Sequence, residues 1–404
     1  MISLSTFRSS AGRGAANAAL AAYEAVAMLE TASPLTARRP SPKQPDGRSS
    51  MTSWKRLAIA VMATILPIGA AAAAACDKPR QMDGFQTCAN VEEAEKEGAL
   101  VLYSPDPEAN QTALLNSFMT AFPKIKATYL RLQTGALYAK LMAERQAHTY
   151  QLDVLTLTDM TFVLDFQKRG GWARYESPEL AAYSPEHKSK PEGYYMWGGI
   201  IIAGIAYNPT TLKAEEAPKS WKDLLNPKWK DAINVKVSNS GLQHEAWLML
   251  KNIYGDDYWK QFATLEPRAF DSYVQQFDRT VSGQDQVICT AQYSGYLQFK
   301  AKGAPIAFVN PPEGVIASPS LMGAVDQAPH PEAAKLFMDW FSGVPGQQAY
   351  VDSSALYSAR TDVKPPAGGL PITAFKQLIP DDWDAFLKTH AAFVKEWNSM
   401  VGMR

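Results

Sequence analysis

Cysteine and histidine are scarce in this chain, with 3 and 5 among 404 residues. The five histidines, His148, His187, His244, His330 and His390, include no pair at the helical spacing of a zinc-hydrolase motif. No G-x-S-x-G elbow and no Walker-type phosphate loop occurs. Catalysis is therefore not expected. The apolar run from Leu57 to Ile68 falls short of the ~20 residues that a bilayer-spanning helix needs. The formal net charge is zero at pH 7, so the basic excess that a nucleic-acid partner demands is missing too. Neither a fixed-period repeat nor a low-complexity tract follows residue 75.

What is present begins with an export signal. After Met51, Lys55 and Arg56 form a basic start, Leu57 to Ile68 the apolar run, and Ala71 to Ala75 the small residues where a signal peptidase cuts. Residues 51–75 are read as that signal peptide, and 1–50, rich in Ala, Ser and Arg, as an extension outside the mature protein. The first 75 residues hold 8 of the 40 Lys+Arg and 3 of the 40 Asp+Glu, leaving 32 and 37, a net charge of −5. The remaining 329 residues suffice for two domains, each with its own core.

Cys76 and Cys88 open the mature chain in "CDKPRQMDGFQTC" and are expected to pair, since an exported protein meets an oxidising compartment. Closing so short a loop contributes roughly 3 kcal/mol. The alternative is a lipoprotein acylated at Cys76, but the preceding alanines lack the bulky apolar residue expected upstream. Residues 76–96 thus form an N-terminal disulfide segment. Cys289 is read as a small buried apolar residue.

From Gly98 the pattern alternates strand and helix. "ALVLYS" (Ala99 to Ser104) is a strand, and Leu114, Leu115, Phe118, Met119 and Phe122 mark a helix that Pro123 stops. "ATYLRL" and "DVLTLT" repeat the scheme. Crossovers of this length imply a largely parallel sheet covered on both faces. "GGIIIAGIAYN" (Gly198 to Asn208) is too long for one small sheet and is expected to pass between two. A second series starts at "AINVKVS", and "HPEAAKLFMDWFSG" has Pro331 in its first turn and Gly343 past its end. The Lys/Trp alternation of "SWKDLLNPKWKD" reads as a solvated helix face.

Two turns of the same kind stand where strands give way to helices: Gln133-Thr134-Gly135 and Ser238-Asn239-Ser240-Gly241. The first amides of a helix lack intrahelical partners and carry partial positive charge, so such a turn makes an anion site. Simple capping by Ser238 or Ser240 is the alternative. Ser104, Thr158 and Asp159 also end strands and share that edge, where ligands of open α/β sheets bind. Tyr293, Tyr296 and Arg360 are further candidates for ligand contact, Arg360 through a bidentate fork. His244, three residues after Gly241, reads as a surface histidine of a capped helix.

The ordered set "LVLYSPDPE", "LQTGALYAKLMAE", "DVLTLTD", "IAYNPTTL", "APKSWKDLLNPKWKD", "SGLQHEAW", "KGAPIAFVNPPEG" and "HPEAAKLFMDWFSGVPGQQAY" resembles the periplasmic solute-binding proteins of ABC importers. The resemblance is to the type II class that includes ferric-ion-binding proteins. It implies an α/β fold of two lobes, each a mixed, mostly parallel sheet flanked by helices, joined by two hinge crossings. Lobe I would comprise 97–203 and 314–404, and lobe II 204–313, with hinges near Ile200 to Ala206 and Val315 to Val325. It further implies a monomer in the periplasm that delivers a small molecule to a permease and its ATPase, without enzymatic activity or cofactor.

Ferric members use an adjacent tyrosine pair, helped by a His and a Glu. Here "TAQYSGYLQF" replaces the pair with Gln292-Tyr293, no histidine stands near "YSPDP", and Thr158 with Asp159 occupies the glutamate's place. If iron were the solute, Tyr293, Tyr296 and Asp159 would be its ligands. Hydroxyl-rich turns suit an oxyanion better than Fe(III), so the expected ligand is a small organic anion: a carboxylate, phosphonate or phosphate ester.

Overall fold

The computed structural model describes residues 78–402. The extension, the signal peptide and Cys76 lie outside the described residues. A short antiparallel hairpin, β1 (Arg80–Gln81) and β2 (Gln86–Thr87), precedes helix α1 (Val91–Glu97), which Asn90 caps through its side chain.

The first βα series follows the period-based reading closely. It runs β3 (Ala99–Ser104), α2 (Glu108–Ala121), β4 (Lys126–Arg131), α3 (Thr134–Gln146), β5 (Val154–Leu157) and α4 (Met160–Lys168). Here β3 pairs in parallel with both β4 and β5. The second series comprises β7 (Ile233–Lys236), α5 (Gly241–Tyr254), α6 (Asp257–Ala263), β8 (Arg268–Phe270), α7 (Tyr273–Val281), β9 (Val287–Gln292) and α8 (Tyr293–Ala301). Within it β7 pairs in parallel with β8 and β9.

Two long antiparallel strands join the series: β6 (Met196–Tyr207) and β11 (Val315–Ala324), with β11 against β5 and β6 against β9. Every residue of both is buried, which is why β6 reads as a continuous apolar run rather than an alternation, while β11 carries Ser318 and Ser320 inside. Short strands β10 (Ala307–Val309) and β12 (Gln377–Leu378) pair with β6 and β11. Register shifts fall at Gly204/Ile205 and at Ser320/Leu321, inside the segments expected to be hinges. Opposite the first of these, Thr290 holds φ of 61°, a left-handed conformation that a β-branched residue rarely adopts.

Helices α9 (Pro331–Ser342) and α10 (Val344–Ser354) back the first series, where Phe118 meets Phe337 edge-on at 5.0 Å and Trp340 at 5.3 Å. Burying each such ring is worth about 1.5–3 kcal/mol. "SWKDLLNPKWKD" departs from expectation: Trp221 and Trp229 are fully buried, their indole N–H groups donating to the carbonyls of Gly314 and Asp223. Between them Lys222, Asp223, Asn226, Pro227 and Lys228 face water while Leu224 is buried, so the alternation marks a half-buried segment.

The last helix, α11 (Trp383–Met400), was not foreseen. Phe386, His390, Phe393 and Trp397 recur at helical spacing and form its buried face. That face packs on α4 of the first series and α5 of the second. The indole of Trp397 donates to the Lys236 carbonyl at 2.8 Å.

Candidate functional site: a cleft between two sets of strand ends

The carboxyl ends of strands from both series converge on a cavity of about 70 Å³. Arg131, Gln133, Thr134 and Thr158 supply one wall. Lys236, Asn239, Ser240 and Gln292 supply the other. Asp106, Asn110, Ser272, Tyr273, Ser294 and Ser354 complete the polar lining.

The two polar turns touch. A Cβ placed on Gly135 would lie 3.5 Å from Cβ of Asn239. A Cβ on Gly241 would lie 2.1 Å from the carbonyl oxygen of Thr158 and 2.8 Å from Cα of Asp159, so only glycine admits this approach. Thr134 and Thr158 share a hydroxyl hydrogen bond of 2.9 Å on the cavity wall.

Three of the helices that start here carry no side-chain cap: α3 after Gln133, α5 after Ser240 and α8 after Gln292. Other helix starts vary: Asn90, Asp159 and Ser272, the last also on the cavity wall, cap with their side chains, whereas α6, α9 and α10 start without such a cap. The uncapped first turns leave amide donors at the cavity wall.

Charge reinforces them. Arg131 ends β4, Lys236 ends β7, and both line the cavity from opposite walls. Arg131 makes no side-chain hydrogen bond or ion pair within the protein among the described residues. Burial, and then repulsion from Arg131, lowers Lys236 to about 8, against the pull of Asp271, whose carbonyl accepts its ammonium. Its backbone N–H donates to Gln243 at 3.2 Å, and Gln243 also accepts from Thr290 at 2.9 Å, so the strained bulge residue helps to fix the end of β7. The single cavity-lining carboxylate, Asp106, accepts from Tyr350 at 2.8 Å and Gln111 at 2.9 Å, and burial raises its pKa.

Several residues expected at the ligand lie elsewhere. Ser104 is buried beneath the cavity and accepts from the Asp106 amide and the Gln111 side chain, holding the Pro105–Pro107 loop. Ser238 donates to Asn398 at 2.6 Å and so seats α11. Asp159 turns away, capping Thr161 at 2.8 Å. Tyr293 is packed among Tyr296, Phe308, Tyr357 and Phe375, its hydroxyl accepting from the Leu370 amide. The Tyr296 hydroxyl accepts from Lys300. Arg360 is a buried ion-pair residue, 2.6 Å from Glu179 and 2.7 Å from Asp362, which hold its pKa above the usual arginine value. His244 is fully buried under α11 rather than exposed. Cys289 is buried and free.

The structure adds Arg131, Lys236, Asp106, Tyr273 and Gln292 to the cavity wall. For the two cations a signal existed: a basic residue at the end of an otherwise apolar strand, just ahead of a polar turn.

Comparison with known proteins places this geometry in context. The profile of the bacterial extracellular solute-binding protein family matches residues 152–388, more than half of the chain. An uncharacterized protein of Haemophilus influenzae is 24% identical over 235 residues, 55% of this chain and 67% of its own length. Among solved structures, periplasmic binding protein AfuA of Actinobacillus pleuropneumoniae, with fructose-6-phosphate bound, superposes with a TM-score of 0.68 at 22% identity. It covers 76% of this chain and 99% of that one. Iron-bound HitA of Pseudomonas aeruginosa has a TM-score of 0.65 at 20% identity, covering 75% and 99%. The ferric binding protein of Campylobacter jejuni has 0.63 at 18%, covering 74% and 99%. At these identities the structural likeness speaks for fold, the two-lobed α/β architecture of type II periplasmic binding proteins. The extent of the family match makes this chain a member of the bacterial extracellular solute-binding proteins.

Proposed function

We propose that the protein captures a small organic anion between its lobes, in the periplasm, and hands it to the permease and ATPase of an ABC importer. The observation that carries this reading is the pair Arg131 and Lys236, presented from opposite walls to a cavity with one lining carboxylate. Uncapped turns of α3, α5 and α8 add amide donors to the same space. The cavity volume of about 70 Å³ is below the ~300–1,000 Å³ of pockets that bury drug-sized molecules, which favours a compact anion or the anionic head of a larger one.

The ferric alternative has less support. The tyrosine on the cavity wall is Tyr273, a single phenol where ferric members use an adjacent pair. Tyr293 and Tyr296 pack outside the cavity, and Asp159 points away from it.

The touching turns correspond to a closed form. Opening is a rotation about β6 and β11 at their register shifts, and an anion favours closure by binding both walls at once. Export through residues 51–75, pairing of Cys76 with Cys88, a monomeric state, and lobes bounded as 97–203 with 314–404 and 204–313 belong to the same proposal. Calorimetric titration with phosphate, fructose-6-phosphate, methylphosphonate and citrate, set against ferric citrate, tests it. A visible tyrosinate-to-iron absorption with no anion binding would replace the anion by iron.

A further inference from the structure

Next to the Thr158–Gly241 contact, three side chains from separate elements converge: Asp159 at the start of α4, His244 in α5 and His390 in α11. One ligating atom from each lies within 4.8 Å of the other two, and all three residues are buried. None lines the anion cavity.

The donor set of two imidazoles and one carboxylate is that of a borderline divalent ion such as zinc, cobalt or ferrous iron. His244 is prepared for ligation. Its Nε2 lies 2.8 Å from Thr389 Oγ1, which itself donates to the Phe386 carbonyl at 2.7 Å, so the hydroxyl accepts and the ring proton sits on Nε2. The lone pair is then on Nδ1, which is buried and has no hydrogen-bond partner. Phe386 and Phe393 stack on the two ring faces with centroids at 3.9 and 4.7 Å, fixing its plane. This is the pattern of a metal-bound imidazole whose other nitrogen donates to an oxygen.

Asp159 divides its oxygens in the same way. Oδ1 accepts from Thr161 N, while Oδ2 lies 3.9 Å from Nε2 of His390. Tetrahedral ligands at ~2.0–2.1 Å from zinc stand about 3.3 Å apart, so side-chain rotations of about an ångström close the cluster.

The geometry points to a structural site for a divalent transition-metal ion held by Asp159, His244 Nδ1 and His390, pinning α4, α5 and α11 together. The three ligands come from α4, α5 and α11, so the ion is bound where these helices meet and adds to the stability of the closed form without being needed to form it. The site stands apart from the anion reading, and either can fail without the other.

The test is titration of the metal-stripped full-length protein with Co²⁺, read by visible absorption and by competition with Zn²⁺. The expected result is a ligand-field band that saturates at one equivalent, is displaced by zinc, and is lost in His390→Gln and in Asp159→Asn. Thr389→Val, which removes the acceptor for His244 Nε2 and with it the donor to the Phe386 carbonyl, should weaken zinc affinity about tenfold while keeping the band. The Lys236→Ala variant should bind cobalt like the wild type. Absence of a band in the wild-type protein at stoichiometric Co²⁺, or a band that persists in His390→Gln, overturns the assignment, and neither result depends on a variant folding poorly.

Discussion

Gly241 meets Thr158 across the cleft so closely that a Cβ on the glycine would stand 2.1 Å from the threonine carbonyl oxygen. This single approach ties the start of a helix in the second βα series to the end of a strand in the first. It also gives the simplest handle on closure. Gly241→Ala should hold the lobes apart and weaken anion binding at least about tenfold, equivalent to ~1.4 kcal/mol. Alanine is a better helix former than glycine by ~1 kcal/mol, so the ligand-free melting temperature should hold or rise. Calorimetry and melting curves on one preparation separate the two effects.

Filling the cavity directly should act more strongly. The double variant Thr134→Leu with Ser240→Leu removes two wall hydroxyls and occupies the space between them, while breaking one hydrogen bond, that of Thr134 with Thr158. Binding should vanish while ligand-free melting shifts by only about 1 kcal/mol in stability. Unchanged affinity would remove the cleft from the account.

Lys236 makes the binding pH-dependent. With its pKa lowered to about 8, the ammonium that faces the ligand is lost as pH rises through that value. Anion affinity should fall between pH 7 and pH 9, and Lys236→Met should flatten the profile. In the empty protein the sign reverses. The folded form binds this proton less tightly than the unfolded chain, whose lysines titrate near 10.4. Stability from this group is therefore gained as pH climbs from about 8 towards that value.

Arg360 should behave as a stabilising residue with no part in recognition. Its side chain is 6% exposed beside that of Glu179 at 11%, so Arg360→Ala leaves a largely buried carboxylate without its cation. A loss of about 3–5 kcal/mol is expected. Affinity, measured well below the lowered melting point, should be unchanged.

Trp397 tests the C-terminal helix as a lobe-spanning element. Fully buried, it donates to the Lys236 carbonyl and sits 5.1 Å from Trp259. Trp397→Ala should cost about 3–5 kcal/mol. It should also reduce anion affinity by loosening the end of β7.

How much of this could be read beforehand follows from the range of each interaction. The strands from Ala99 and Asp153 and the helix opened by Pro331 declare themselves through local period and punctuation, and the structure places them within a few residues of expectation. The two polar turns were visible because Gln133-Thr134-Gly135 and Ser238-Asn239-Ser240-Gly241 repeat one local scheme. Ser238 was misassigned for a long-range reason, the arrival of Asn398 from the far end of the chain. Arg360 and Tyr293 likewise have side chains whose partners, Glu179 and the Leu370 amide, no local pattern reveals. Arg131 and Lys236 drew no reading from the sequence, because a charge at the end of one strand alone looks like a solvated edge. Their role emerges only when two sheets bring them to one cavity.

The central claim is that opposed cations from the two lobes hold an anion. Calorimetric titration of the wild-type protein and the Arg131→Ala, Lys236→Ala double variant with phosphate, fructose-6-phosphate, methylphosphonate and citrate tests it most directly. The account predicts saturable binding of at least one of these by the wild type, and a loss of a hundredfold or more in the double variant. Equal affinity in both proteins, or binding of none of the four alongside a coloured ferric complex, would contradict it.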